Sequence, residues 1–244
     1  MKPCARILLA MVLALLVSVT SSSAQLPDLL KNLPQMPGAG AGLGDAKIGQ
    51  GLKEALRVGT ENAVNLTGKV DGYLANQAIK ILLPDKLKSL DQGLRLIGQG
   101  ERVDELVVGM NRAAEKAAPF ARNIFVDAIG DMSIDDARKI LAGPDTAATD
   151  YFKGKTTTKL TTAFRPVVER TMNEVGVAHQ YNSLLAQAQS IPFFKPESYD
   201  LNHYVVGKAL DGLFHVVGDE ERKIRTNPAA RTTDLLKEVF SSRR

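Results

Sequence analysis

The sequence predicts an all-α protein, a single irregular multi-helix bundle of about eight to ten helices. Apolar residues recur at three- and four-residue spacing through most of the chain, which is the period of one face of a helix. The strict alternation of apolar and polar residues that half-buried strands show is almost absent. We find no internal repeat and no second composition regime, so we expect one domain over residues 45–244.

The first 44 residues are predicted to lie outside this domain. Two basic residues, Lys2 and Arg6, precede an apolar run, and small residues follow it up to Ala24. This pattern predicts a signal peptide over 1–24, cleaved near Ala24, and a periplasmic location if the bacterium has two membranes. The prolines and the Gly/Ala alternation of residues 25–44 predict a flexible lead-in. No transmembrane segment is expected after cleavage.

Helical spacing and helix-breaking residues predict the elements in order. The first helix should run from about Asp45 to Leu66. The apolar run 79–83 is the best strand candidate in the chain, but a helical turn that plugs the core is the preferred interpretation. Further helices are predicted over about 84–97, over 103–118, and from Phe120 to Met132. Ser133 and Asp136 resemble a capping box, with aspartate in the place of glutamate, and should begin the next helix.

The second half of the chain is predicted to hold the longest helices. A short helix over 145–152 should precede a long one over 156–175, which Gly176 ends. Pro166 lies inside the long helix and should kink or restart it. The clearest pattern is 201–240, a long helix, a turn at Asn227-Pro228 and a closing helix. Asn227 is a favoured N-cap and Pro228 a favoured first helical residue. The long helix carries an apolar stripe of Val206, Leu210, Leu213, Phe214, Val217 and Ile224.

Several classes of site are excluded by residue type or spacing. The only cysteine, Cys4, would leave with the signal peptide, which removes disulfides and thiolate sites. His179, His203 and His215 do not show zinc-site spacing. The acidic cluster 131–136 lacks the glycine and the final glutamate of a calcium loop. We therefore predict no catalytic residue, cofactor or metal, and the small net charge and absence of tryptophan argue against nucleic acid.

The densest charge cluster surrounds the Asn227-Pro228 turn. One interpretation is a solvated helix end in which Glu221 and Arg225 form an i,i+4 pair. The other is that Lys223, Arg225 and Arg231 face one another across the turn and contact an anion or an acidic partner, since the arginine fork binds carboxylate or phosphate at two points.

A second polar cluster comprises Asn111, Arg112 and Glu115. An internal polar network between helices explains these residues, and a catalytic site is the alternative.

Six segments resemble one protein family. They are GLKEALRVGTENAV, MNRAAEKAAP, IFVDAI, LAGPDTAATDYF, KALDGLF and KIRTNPAARTTDLLKEVF, in this order behind the predicted signal peptide. The chain resembles the domain-of-unknown-function family four-one-nine-seven of exported bacterial proteins over about residues 51–240. The resemblance implies a helical envelope domain of that extent, and it supplies no reaction, ligand or catalytic residue.

Export, apolar helical faces and the lack of assembled catalytic groups favour a binding protein of the cell envelope. Its partner would be another envelope protein or a small amphipathic molecule held between helices; oligomeric state is not predicted. The alternative is an enzyme that acts on envelope lipid or glycan through paired carboxylates such as Glu115, Asp211 and Glu221.

Overall fold

The computed structural model of the chain describes residues 41–188 and 199–231, with three further single positions, 233, 234 and 237. Every regular element in these residues is helical, so the predicted all-α class is confirmed. The predicted signal peptide 1–24, most of the lead-in and the loop 192–198 lie outside the described residues. So does the closing helix after residue 231, apart from those single positions.

The α-helices are, in chain order, α1 (Ala41–Gly68), α2 (Lys88–Leu96), α3 (Gly100–Ala117), α4 (Ala121–Gly130), α5 (Ile134–Ala142), α6 (Ala147–Glu174), α7 (Val177–Ala188) and α8 (Leu201–Thr226). Short 3-10 helices cover Asp85–Leu87, Ala118–Phe120 and Pro228–Ala230. The helix α8 packs against α1 and α6, and α6 also packs against α3.

The core forms where the apolar faces of these helices meet. Phe125 of α4 lies edge-on to Phe152 of α6 and to Phe214 of α8, with ring centroids 5.1 and 6.2 Å apart. Such edge-to-face pairs add about 0.5–1.5 kcal/mol each to the burial of their area. All six residues of the predicted α8 stripe are buried, so this prediction is confirmed.

The residues that begin and end helices were predicted correctly at three places. Ser133 and Asp136 form a complete capping box at the start of α5, in which the Ser133 hydroxyl accepts a hydrogen bond from the Asp136 N–H. Asn227 accepts one from the Ala229 N–H beyond α8. Gly176 follows α6 with a φ of 71°, a conformation that glycine adopts without steric cost.

Two helix boundaries were predicted wrongly. The first helix begins at Ala41, four residues earlier than predicted, because glycine weakens a helix but does not break it as proline does. The two helices predicted over 145–152 and 156–175 are one continuous helix, α6. Its interior residues Gly154 and Pro166 do not interrupt it, because one continuous face is buried on both sides of them, by Phe152, Thr156, Leu160, Phe164 and Val168.

The helix α8 offers a matched pair of glycine substitutions. A Cβ at Gly212 would lie 2.6 Å from Cε1 of Tyr73, whereas a Cβ at Gly207 would have no atom of another element within 4 Å. Gly212→Ala should lower the free energy of unfolding by about 1–3 kcal/mol through overpacking. Gly207→Ala should raise it by about 0.5–1 kcal/mol through helix propensity. Urea denaturation measures both, and equal effects would refute the close contact at Gly212.

Candidate functional site

The Glu115 carboxylate lies buried against the turn that follows α1. It accepts hydrogen bonds from the backbone N–H groups of Tyr73 and Leu74, at 3.1 and 3.2 Å. Arg112, one helical turn away, pairs with Glu115 at 2.6 Å and with Asp71 at 2.7 Å. Asp71 is the one non-glycine residue in the described part of the chain with positive φ. Arg112 and Glu115 therefore hold this turn against α3.

Asn111 is buried and fixes a segment without regular structure. Its side chain accepts a hydrogen bond from the Ile81 N–H at 2.9 Å and donates one to the Ile81 carbonyl at 2.8 Å. The side-chain amide of Asn111 thus makes the two backbone hydrogen bonds that a neighbouring β-strand could otherwise make with Ile81. The predicted helical turn over 79–83 is wrong, because Asn111 satisfies the backbone groups that a helix would have paired internally.

Glu221 caps the N-terminus of α6 from a distant part of the chain. Its carboxylate accepts hydrogen bonds from the N–H groups of Ala148 and Thr149, at 3.0 and 2.9 Å, and from the Thr149 hydroxyl. Glu221 also pairs with Arg225 at 2.8 Å, and the two side chains are only 5% and 6% exposed. The i,i+4 pair predicted from the sequence exists, but it is buried and not solvated, because α8 packs here on α1 and α6.

The three cations predicted to contact an anion have separate partners. Arg225 donates to the Ile140 carbonyl as well as to Glu221, and Lys223 pairs with Glu220 at 2.6 Å. Arg231 donates to the carbonyls of Ile224 and Arg225 at the end of α8, where a cation is favoured. Their role in binding an anion or a partner stays a prediction. The Arg112 and Glu115 network lies elsewhere, at the 71–74 turn.

A groove of about 830 Å³ opens on the surface of the described residues, and we call it the central groove. Its walls are the segment 78–88, one face of α2 and α3, and the outer face of α8. Its lining residues include Lys80, Leu82, Asp85, Lys86, Lys88, Asp91, Arg95, Asp104, Tyr199, Tyr204, Lys208, Asp211 and His215.

Acidic and basic side chains alternate along the central groove. Arg95 pairs with Asp91 and with Asp104, at 2.6 Å in both cases. Lys88 pairs with Asp85 at 2.9 Å. Hydrogen bonding from these cations holds the pKa of Asp85 and of Asp104 below the usual value. A general acid needs a raised pKa, so neither of these two carboxylates suits that role.

Two tyrosines and a leucine give the central groove an apolar part. The rings of Tyr199 and Tyr204 lie edge-to-face with centroids 5.9 Å apart, and the Tyr204 hydroxyl donates to the Leu82 carbonyl at 3.0 Å. The Leu82 side chain is 59% exposed. Sequence reasoning did not find this site, because its residues come from four separate stretches and no local pattern links them.

The sequence profile of one family, described as proteins of unknown function (DUF4197), matches residues 42–241. The chain belongs to this family. No curated protein and no solved structure shows significant similarity to the chain. The family therefore confirms the resemblance seen in the sequence and assigns no activity to the central groove.

The DUF4197 domain shows no assembled metal site in its described residues, where no three His, Cys, Asp or Glu side chains come together. His203 and His215 are exposed, and His215 lies 3.6 Å from Asp219. No helix in the described part of the domain combines the length and the hydropathy that crossing a bilayer requires.

A small apolar cavity of about 20 Å³ lies between α1, α6 and α8 of the DUF4197 domain. Arg225 lines it, and the Arg225 Nη1 atom is buried without a hydrogen-bond partner among the described residues. The volume suffices for one water molecule. It is far too small for an acyl chain or an aromatic ligand.

Proposed function

We propose that the chain is an exported binding protein of the bacterial periplasm, and that the central groove holds a segment of a partner polypeptide. The observation that carries the proposal is the groove itself, which is open, about 830 Å³ in volume, and lined by both signs of charge and by tyrosines. Tyrosine and arginine are the residues that protein interfaces favour.

The lining chemistry favours a polypeptide over a small amphipathic molecule. Sites for small molecules are mostly apolar with few polar groups, whereas the central groove carries charged residues along all its walls. A peptide offers carboxylates, ammonium groups and backbone amides together. The cavity between α1, α6 and α8 cannot serve as the alternative ligand site, because it accommodates only a water-sized molecule.

Photo-crosslinking in the producing bacterium tests the proposal. A photoreactive phenylalanine derivative at position 82, in the central groove, should give a discrete adduct with one envelope protein. The same residue at position 126, which is similarly exposed on α4, should not. Lys86 lines the groove and has no ion pair among the described residues, so its charge is available to a partner. Lys86→Glu should therefore abolish the adduct. The purified chain should begin at Gln25 and come from the periplasmic fraction.

The control for the charge change is Lys139→Glu on α5, an exposed lysine outside the groove. Both charge reversals should leave the unfolding curve almost unchanged, within about 0.5 kcal/mol, as exposed substitutions usually do. An adduct that forms equally from positions 82 and 126, or that survives Lys86→Glu, would refute binding in the groove.

A further inference from the structure

The outer side of α6 carries four cations that stand apart from the central groove. They are Lys155, Lys159, Arg165 and Arg170, all exposed, and helical geometry places them within one half of the helix circumference. We call them the basic face; Lys153 lies on the other side, over the Phe214 ring of α8. Between residues 151 and 173 the only acidic residue is Glu169. Lys155 to Arg170 spans about 22 Å at the 1.5 Å rise of an α-helix.

The basic face is not neutralised from within the domain. Within the described residues, none of its four cations forms an ion pair. Exposed cations elsewhere, such as Arg57 and Arg95, pair with neighbouring carboxylates. Lys155 lies close enough to Asp136 of α5 to contribute to the lowered pKa of that carboxyl group, so one end of the face is partly compensated. The remaining cations face solvent.

Most of the threonine hydroxyls near these cations are already used as donors. Thr157, Thr161 and Thr162 donate to the carbonyls four residues earlier, at 2.6, 2.8 and 3.0 Å. They cannot also donate to a phosphate, which leaves the exposed Thr158 hydroxyl as a donor. Attraction of an anion to this face therefore rests mainly on the lysine and arginine charges.

We propose that the basic face docks the domain on an anionic phospholipid surface. A protein partner is less suited, because a stable protein interface needs aromatic or large apolar anchors. The exposed residues of α6 from 153 to 170 include neither. A membrane surface needs no such anchors, since its mobile phosphates adapt to a linear row of cations, each contributing additively. The inference stands on α6 and does not depend on occupancy of the central groove.

Vesicle co-sedimentation tests the proposal with the chain as purified from the producing bacterium. It should bind phosphatidylcholine vesicles that contain phosphatidylglycerol and not vesicles of phosphatidylcholine alone. Binding should disappear at about 0.5 M salt, where charge attraction is screened. The double variant Lys155→Gln/Lys159→Gln should bind about 30-fold more weakly, from the contribution of each cation near an anionic surface.

A control variant separates the basic face from net charge. Lys69→Gln/Arg222→Gln removes the same charge from exposed positions outside α6 and outside the central groove, and it should retain wild-type affinity. Equal loss in both double variants, or no binding to anionic vesicles at low salt, would overturn the proposal. The proposal would also be overturned if Lys155→Gln/Lys159→Gln bound vesicles as tightly as the wild type but lost a crosslink that a photoreactive residue at position 158 forms in cells. That result would identify an acidic protein as the partner of the basic face. Thermal unfolding confirms that each variant is folded.

Discussion

Replacing Glu221 with alanine is expected to lower the free energy of unfolding by about 3–5 kcal/mol, the range found when one partner of a buried ion pair is removed. The substitution leaves Arg225 charged and buried without its carboxylate. It also leaves the N–H groups of Ala148 and Thr149 unpaired at the first turn of α6. Urea denaturation followed by circular dichroism measures the change.

Two further variants serve as comparisons for Glu221→Ala. Glu221→Gln keeps the shape and one acceptor oxygen, so its loss should be smaller than that of Glu221→Ala. Glu169→Ala removes an exposed carboxylate from α6 and should change stability by less than about 0.5 kcal/mol. If Glu221→Ala and Glu169→Ala were equally stable, the capping role of Glu221 would be excluded.

Asn111→Ala is the second substitution with a large expected effect. It leaves the N–H and the carbonyl of Ile81 buried without partners, at about 1–3 kcal/mol for each group. Ile81 is adjacent to Leu82 in the wall of the central groove. The substitution should therefore increase local opening of this segment as well as lower the free energy of unfolding. Hydrogen exchange of the Ile81 amide should become much faster.

The comparison for this variant is Asn65→Ala. Asn65 is exposed, and its amide oxygen accepts a hydrogen bond from Arg122 at the surface. Its removal should leave the exchange of the Ile81 amide unchanged. Protection of that amide in Asn111→Ala at the wild-type level would show that water or another group replaces the asparagine.

The sequence predicted what depends on neighbours in the chain. The capping box at Ser133 is read from residues three apart, and the buried face of α8 from the period of a helix. The end of α6 at Gly176 follows from the conformational freedom of glycine. Each of these features is local, so no knowledge of the tertiary structure was needed.

The features missed depend on contacts between distant residues. Glu221 and Ala148 lie 73 positions apart, and Asn111 and Ile81 lie 30 apart. The sequence therefore showed polar residues at helical positions but not what they bind. The central groove was missed for the same reason, because Leu82, Arg95 and Lys208 meet only after the helices have packed.

Because Glu221 of α8 caps α6, the first turn of α6 can be completed only late in the synthesis of the chain. Ribosomes make the chain from its N-terminus, so all of α6 is synthesised before Glu221 exists. Until α8 docks, the first turn of α6 lacks the acceptors for its N–H groups, and Arg225 has not yet brought α5 into the same network. Among the described helices α8 is the last to be synthesised, and it supplies the cap of α6. A nascent chain that stops short of α8 therefore lacks the acceptors for the first turn of α6.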